Sequence, residues 1–241
     1  IWPREQDFNN IDEGIITRLF SQVCYPDAGQ VPRREPLLHV GIMEGDRIDF
    51  TLDGDFRRET APDGTATYIP TGNESAFTLH DVAIGKGFHW ERTEAQSFRG
   101  ALQLKPLPSG ATLAINMISL EEYLKSVISS EMSAGASPNL LRAHAIVSRS
   151  WLLAMLGRRG GKEINRRVIP GDPEEIISWH DRAEHTLFDV CADDHCQRYQ
   201  GITRQTSPAV AEAVEATRGQ VLMMGGRICD ARFSKCCGGV T

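Results

Sequence analysis

The spacing of hydrophobic positions changes character partway along the chain. Between residues 37 and 118 it is mostly alternating. Ile48, Phe50 and Leu52 are interleaved with polar residues and run into an Asp53-Gly54 turn. Asp63-Gly64 and Thr71-Gly72-Asn73 punctuate further short strands. Leu102 and Leu104 alternate, a loop from Pro106 to Gly110 follows, and Leu113, Ile115 and Met117 alternate again. Short strands with regular turns predict a small antiparallel sheet or a barrel-like sandwich.

At Ser119 the period becomes helical. Leu120, Tyr123, Leu124, Val127 and Ile128 fall on one helix face, and Ser119 with Glu122 fits a capping box. A second helix is predicted from Ser137-Pro138, with proline at the first helical position. Leu141, Ala145, Ser148, Leu152 and Leu156 form its inner face, and Gly157 with Gly160-Gly161 is expected to stop it. A short helix is expected over 208–217, with strand-like pieces at 221–224 and 227–233. Before all this, residues 1–36 read as an extension with one amphipathic helix (Ile15, Ile16, Leu19, Phe20, Val23), broken by the proline-rich stretch Pro26 to Pro36. Residues 158–184 read as a polar surface insertion. The expected fold is therefore α+β: short antiparallel strands, and two principal helices lining a cleft.

Composition narrows the function classes. The 241 residues are 41% hydrophobic and 24% charged, ordinary for a chain with a packed core. The net charge of −6 argues against a nucleic-acid groove or a basic membrane-facing surface. The longest apolar runs fall far short of the roughly 18 residues a membrane span needs. The chain opens Ile1-Trp2-Pro3, without methionine, which suits an exported protein whose signal peptide has been removed.

Glu131 is the first candidate for chemistry. It continues the apolar stripe of Leu120, Leu124 and Val127 at the C-terminal end of the first helix. Partial desolvation and the negative end of the helix dipole both disfavour a charged carboxylate there, the profile of a general acid. A structural carboxylate, held by a salt bridge or backbone N–H groups, fits the same position. Arg149 lies on the inner face of the second helix and needs an acceptor: Glu131, an anionic or hydroxyl-rich substrate, or a purely structural partner.

Five of the six cysteines lie in the last 51 residues. His185, Cys191, His195 and Cys196 fall within twelve, and the Cys-x4-Cys spacing is at the wide end for zinc. A Cys191–Cys196 disulfide, or buried thiols, would account for them equally simply. Gln197 and Tyr199 alternate in an extended segment beside Cys196 and would share a face, as substrate-binding residues or as ordinary surface or core residues. Asp193-Asp194 reads as a solvated acidic loop.

Several ordered motifs are familiar. Phe98-Arg99-Gly100 to Leu104, Ser119 through Met132, and Leu141 through Ser150 resemble the stage II sporulation protein D family (SpoIID/LytB domain). So do Phe188 to Cys191, His195 to Gly201, Thr217-Arg218-Gly219 and Phe233 to Gly239. The resemblance spans roughly 37–241: strands to 118, catalytic helices over 119–157, the insertion 158–184, and a His/Cys loop with C-terminal strands over 185–241. It does not account for 1–36 or for 158–184.

The resemblance implies a lytic transglycosylase of peptidoglycan, acting in the periplasm or outside the cell. Such an enzyme cuts the β-1,4 bond between N-acetylmuramic acid and N-acetylglucosamine, leaving a 1,6-anhydro product. The family's catalytic glutamate falls on Glu131 and its helix arginine on Arg149. A zinc ion, where the family has one, would sit on His185, Cys191 and Cys196. His195 would replace His185 or face substrate, and Cys237, or Cys236, would complete the set. Glu121 and Glu122 lie about 14 Å from Glu131 along the helix, too far for an inverting carboxylate pair. Two other roles are open: a peptidoglycan-binding activator of a cell-wall amidase, and a zinc-dependent hydrolase.

Overall fold

The structure is a computed structural model that describes residues 32, 34–87, 89–132, 134–159, 185–205 and 207–233. The expected N-terminal helix over Ile15–Val23, most of the insertion, and Cys24, Cys236 and Cys237 lie outside those residues.

The strands run β1 (Leu37–Gly45), β2 (Phe50–Asp53), β3 (Phe56–Thr60), β4 (Ala66–Pro70), β5 (Ala76–Ile84), β6 (Arg92–Phe98), β7 (Ala101–Pro106) and β8 (Thr112–Ser119). Helix α1 (Leu120–Glu131) follows β8 directly, then α2 (Pro138–Arg159), β9 (Val190–Cys191), α3 (Pro208–Ala216), β10 (Met223–Met224) and β11 (Arg227–Ile228). The sheets are open rather than closed into a barrel. One has the order β3-β4-β7-β8-β1-β9, another β2-β5-β6, and β10-β11 form a separate hairpin. All pairings are antiparallel except β1 with β9. The fold is α+β, as the change of hydrophobic period implies.

A single apolar cluster joins the layers. Leu38 and Val40 of β1, Phe77 and Leu79 of β5, and Phe98 of β6 are fully buried with Tyr123, Leu124, Val127 and Ile128 of α1. Leu141, Ala145 and Leu152 of α2 complete it. An aromatic row crosses this core. Phe77 and Phe98 have centroids 5.3 Å apart, Phe98 and Tyr199 5.8 Å, and Tyr199 and Tyr123 5.0 Å.

Two local expectations are corrected. Ser119 is the N-cap residue of α1 but its side chain makes no capping bond. It ends β8 in register with Leu37, and Glu35 Oε1 accepts the Glu121 N–H at 2.9 Å instead. Glu122 pairs with Lys125. Gly157 does not stop α2, which continues to Arg159, since an interior glycine costs only about 1 kcal/mol.

Two close approaches require glycine. A Cβ on Gly41 would sit 2.7 Å from the Phe188 ring, and one on Gly201, at φ +59°, would lie 2.1 Å from Ser97 O. The first lets the His/Cys segment press against β1. The second seats the 3-10 turn Gly201–Arg204 on β6, where Thr203 Oγ1 accepts the Ser97 N–H.

His144, on α2, is buried with neither ring nitrogen hydrogen-bonded, and its ring meets Phe233 edge-on at 4.7 Å. Burial alone pulls its pKa down to about 4. Between about pH 6.5 and pH 4 the unfolded chain therefore binds a proton that the folded chain refuses, so stability falls as pH falls through that window. The expected loss has a slope of up to about 1.4 kcal/mol per pH unit. Denaturant titrations of wild type and His144→Phe over this range check it; equal slopes would refute it.

Candidate functional site

Glu131 is the last residue of α1, after which Met132 turns extended. It is half-buried, and its Oε1 accepts the backbone N–H of Arg198 at 2.7 Å. That donor offsets the negative end of the helix dipole, where α1 has no basic residue of its own.

The partner of Glu131 is thus a backbone amide, and Arg149 is committed elsewhere. Arg149 is 1% exposed and forms a bidentate pair with Glu121, with Nε–Oε1 at 3.0 Å and Nη2–Oε2 at 2.6 Å. Its Nη1 donates to Gln220 O at 3.0 Å, and Glu121 also accepts the Gly219 N–H. Of the roles open to Arg149, the structure shows the buried ion pair, which ties α1, α2 and the Thr217–Gln220 turn together. The physical reason is helix geometry. Glu121 sits in the first turn of α1, which faces the inner side of α2 at Arg149, whereas Glu131 is nearly three turns away.

The segment after β9 is folded back against α1. Gln197 is 1% exposed and donates from Nε2 to Ser148 O at 3.3 Å. Tyr199 is equally buried and donates its hydroxyl to Asn116 Oδ1 at 2.6 Å. Both side chains face the interior, where Gln197 Oε1 has no hydrogen-bond partner among the described residues. They alternate as expected, but their shared face points to the core, and the half-buried intervening residue is Arg198.

His185, Cys191, His195 and Cys196 converge, with ligand atoms all within 4.8 Å of one another. Cys196 Sγ lies 3.5 Å from His185 Nε2 and 3.5 Å from His195 Nδ1, and Cys191 Sγ lies 3.8 Å from His195 Nδ1. Around a tetrahedral zinc with ordinary Zn–S and Zn–N bonds, sulfur and nitrogen stand about 3.5 Å apart. Two soft sulfurs and two imidazoles at these separations fit zinc. His195 therefore stands with the cluster and does not replace His185; both are present. Cys237 lies outside the described residues. Cys191 and Cys196 are thiols, not a disulfide. A hydrogen bond with Cys196, aided by nearby His185, pulls the Cys191 thiol down to about 5 against the effect of burial. Parallel pairing of β9 with β1 fixes Cys191, and Phe188, packed at Gly41, lies 4.5 Å from the His185 ring.

Beside Glu131 lies a groove of about 290 Å³. Ser129 and Ser130 of α1 and the Ala192–Asp194 and Arg198–Gln200 segments form one wall. The β5–β6 hairpin supplies Trp90, Arg92 and Gln96, and Arg204 also lines the groove. Arg198 pairs bidentately with Asp194 at 2.8 and 2.7 Å and lies 5.5 Å over the Trp90 ring. Asp193 pairs with Lys86. The acidic loop is therefore ion-paired into the groove wall. The arginines and Trp90 carried no sequence signal: they come from hairpins and turns with no period, and only the fold gathers them.

A glutamate whose neighbour Ser130 and donor Arg198 line a groove, with a thiolate–imidazole cluster just before that donor in the chain, defines a candidate active site in an α+β fold. A model of the stage II sporulation protein (SpoIID) matches residues 109–224, so that part of the chain is similar to the SpoIID family. It is similar to stage II sporulation protein D of Bacillus subtilis (strain 168), 23% identical over 172 residues. That alignment covers 67% of this chain and 47% of the relative, so the chain spans about half the length of the protein it matches. Among the described residues no helix is long and apolar enough to cross a membrane.

The buried pair makes a sharp stability prediction. Arg149→Ala leaves the Glu121 carboxylate buried and uncompensated, and should cost about 3–5 kcal/mol. Glu121→Leu/Arg149→Met should recover roughly half of that or more. Denaturant unfolding reads both, and a loss below about 1 kcal/mol for the single variant would show that the pair is not holding the helices.

Proposed function

We propose that this protein is a lytic transglycosylase of peptidoglycan, working outside the cytoplasm on glycan strands, with Glu131 as the single general acid and base. The observation that carries the proposal is the placement of Glu131: half-buried, with one carboxylate oxygen fixed by the N–H of Arg198, which lines a polar groove together with the adjacent Ser130. The carboxyl group protonates the glycosidic oxygen as the bond to the muramyl anomeric carbon breaks. The resulting carboxylate then takes the proton from the muramyl C6 hydroxyl, whose oxygen closes the anhydro ring. Because the nucleophile is carried by the substrate, one carboxylate suffices. The groove agrees with this economy. Its other acids, Asp193 and Asp194, are already paired with Lys86 and Arg198, whereas a hydrolase would need a second working carboxylate.

His185, Cys191, His195 and Cys196 would hold zinc, which supplies a structural tie between the His/Cys segment and the sheet. Two thiolates soften the ion's Lewis acidity, so a zinc-dependent hydrolase is the weaker reading. The activator reading has one observation in its favour. An N–H bond to Glu131 is also what a structural carboxylate would have.

Purified glycan strands separate these readings. Mass spectrometry should find 1,6-anhydro-muramyl products with wild type, and Glu131→Gln should lower their rate by roughly 10²–10⁴-fold. No cleavage, with stimulation of a cell-wall amidase, would establish the activator instead. Metal analysis should find about one zinc per chain, reduced by Cys191→Ser and by His195→Ala, with a lower melting temperature after chelation. Full glycan cleavage by Glu131→Gln that a chelator abolishes would move the chemistry to the metal.

A further inference from the structure

The groove beside Glu131 holds cationic groups that proton transfer does not use. Arg92 and Arg204 both line it, and both lean on one counter-ion, Glu94, without closing on it. Arg92 Nη2 stands 3.7 Å from Glu94 Oε2, and Arg204 Nη2 stands 3.5 and 3.4 Å from the two Glu94 oxygens. A well-formed guanidinium–carboxylate pair closes to about 2.7–2.9 Å, as Arg198 and Asp194 do in the same groove. Glu94 is further occupied by the buried Gln96, whose Nε2 donates to it at 3.1 Å. Two guanidiniums against one carboxylate leave a positive charge over.

Two orphaned polar atoms belong to the same walls. Arg204 Nε is buried with no hydrogen-bond partner, and so is Ser130 Oγ on α1. A buried guanidinium N–H without an acceptor is costly unless a ligand brings one.

We infer that this part of the groove is a carboxylate subsite. Arg92 and Arg204 receive a carboxylate carried by the glycan. The inference rests on the glycan-cleaving reading above and adds a specificity to it: the groove selects muramyl-containing strands over neutral polymers of N-acetylglucosamine. Two sources share the required chemistry, the lactyl carboxylate of a stem-free muramyl residue and a carboxylate within an attached stem peptide.

Calorimetry with the Glu131→Gln protein, which binds glycan without consuming it, tests this with three oligosaccharides of equal length. One contains only N-acetylglucosamine, one alternates it with stem-free muramic acid, and one carries stems. At least one carboxylate-bearing glycan should bind roughly ten-fold or more tightly than the neutral one, and whichever does so identifies the source. Adding Arg92→Ala or Arg204→Gln should erase that preference while changing neutral-glycan affinity less than about two-fold. Adding Arg204→Lys, which keeps the charge, should retain part of it and serves if the glutamine variant fails to fold. Equal affinity for all three glycans, no binding to any, or equal losses for neutral and charged glycans in the arginine variants would overturn the subsite. Its failure is separable from that of the parent reading. Anhydro products from wild type without carboxylate preference would sink only the subsite; preference without cleavage would sink only the catalysis.

Discussion

Burial of Tyr199 organises the site. Its ring fills the space between Phe98 of β6 and Tyr123 of α1, and its hydroxyl reaches Asn116 in the middle of β8. Asn116 in turn donates to Arg99 O and Ala101 O, so the contact ends on sheet backbone. An extended segment cannot bury residue 199 without also burying residue 197 and turning residue 198 outward. This pleat aims the Arg198 amide at Glu131 and its guanidinium at Asp194 and Trp90. Gln200 continues the anchoring, its N–H donating to Ser126 Oγ of α1.

The two ends of α1 are handled by different chemistry. Its first turn carries Glu121, locked to Arg149 in a place that excludes water. Its last turn carries Glu131, half-buried and held by the amide of Arg198, a residue that lines the groove. A buried carboxylate with a bidentate guanidinium has no freedom to exchange protons with a substrate. A half-buried carboxylate with one neutral donor does. The same residue type thus serves as a fastener at one end of the helix and as the candidate proton carrier at the other.

The His/Cys segment depends on the same frame. β9 is only two residues long, and a parallel pair of that length is weak alone. It is reinforced by Asp189, whose N–H donates to His39 O and whose carboxylate accepts the His39 N–H, and by the Ala192 N–H to Gly41 O. These bonds hold Cys191 at the sheet edge, and the turn through Asp193 brings Cys196 back to it. A zinc ion would close a cluster that the backbone has already assembled.

Periodicity alone was enough to read two helices beginning near Leu120 and Pro138, a strand-rich part before them, and Glu131 at the end of an apolar stripe. Those features depend on residues close in the chain, where spacing and geometry are directly linked. The close spacing of His185, Cys191, His195 and Cys196 was visible for the same reason. Folding in three dimensions settled what depends on residues far apart: that Arg149 meets Glu121 and not Glu131, that Gln197 and Tyr199 face inward, that His195 joins the cluster, and that Trp90, Arg92, Arg198 and Arg204 share a groove. Alternation shows that two residues share a face but not which face the core takes. That choice is made by the energy of burying particular groups against distant partners, and no local pattern encodes it.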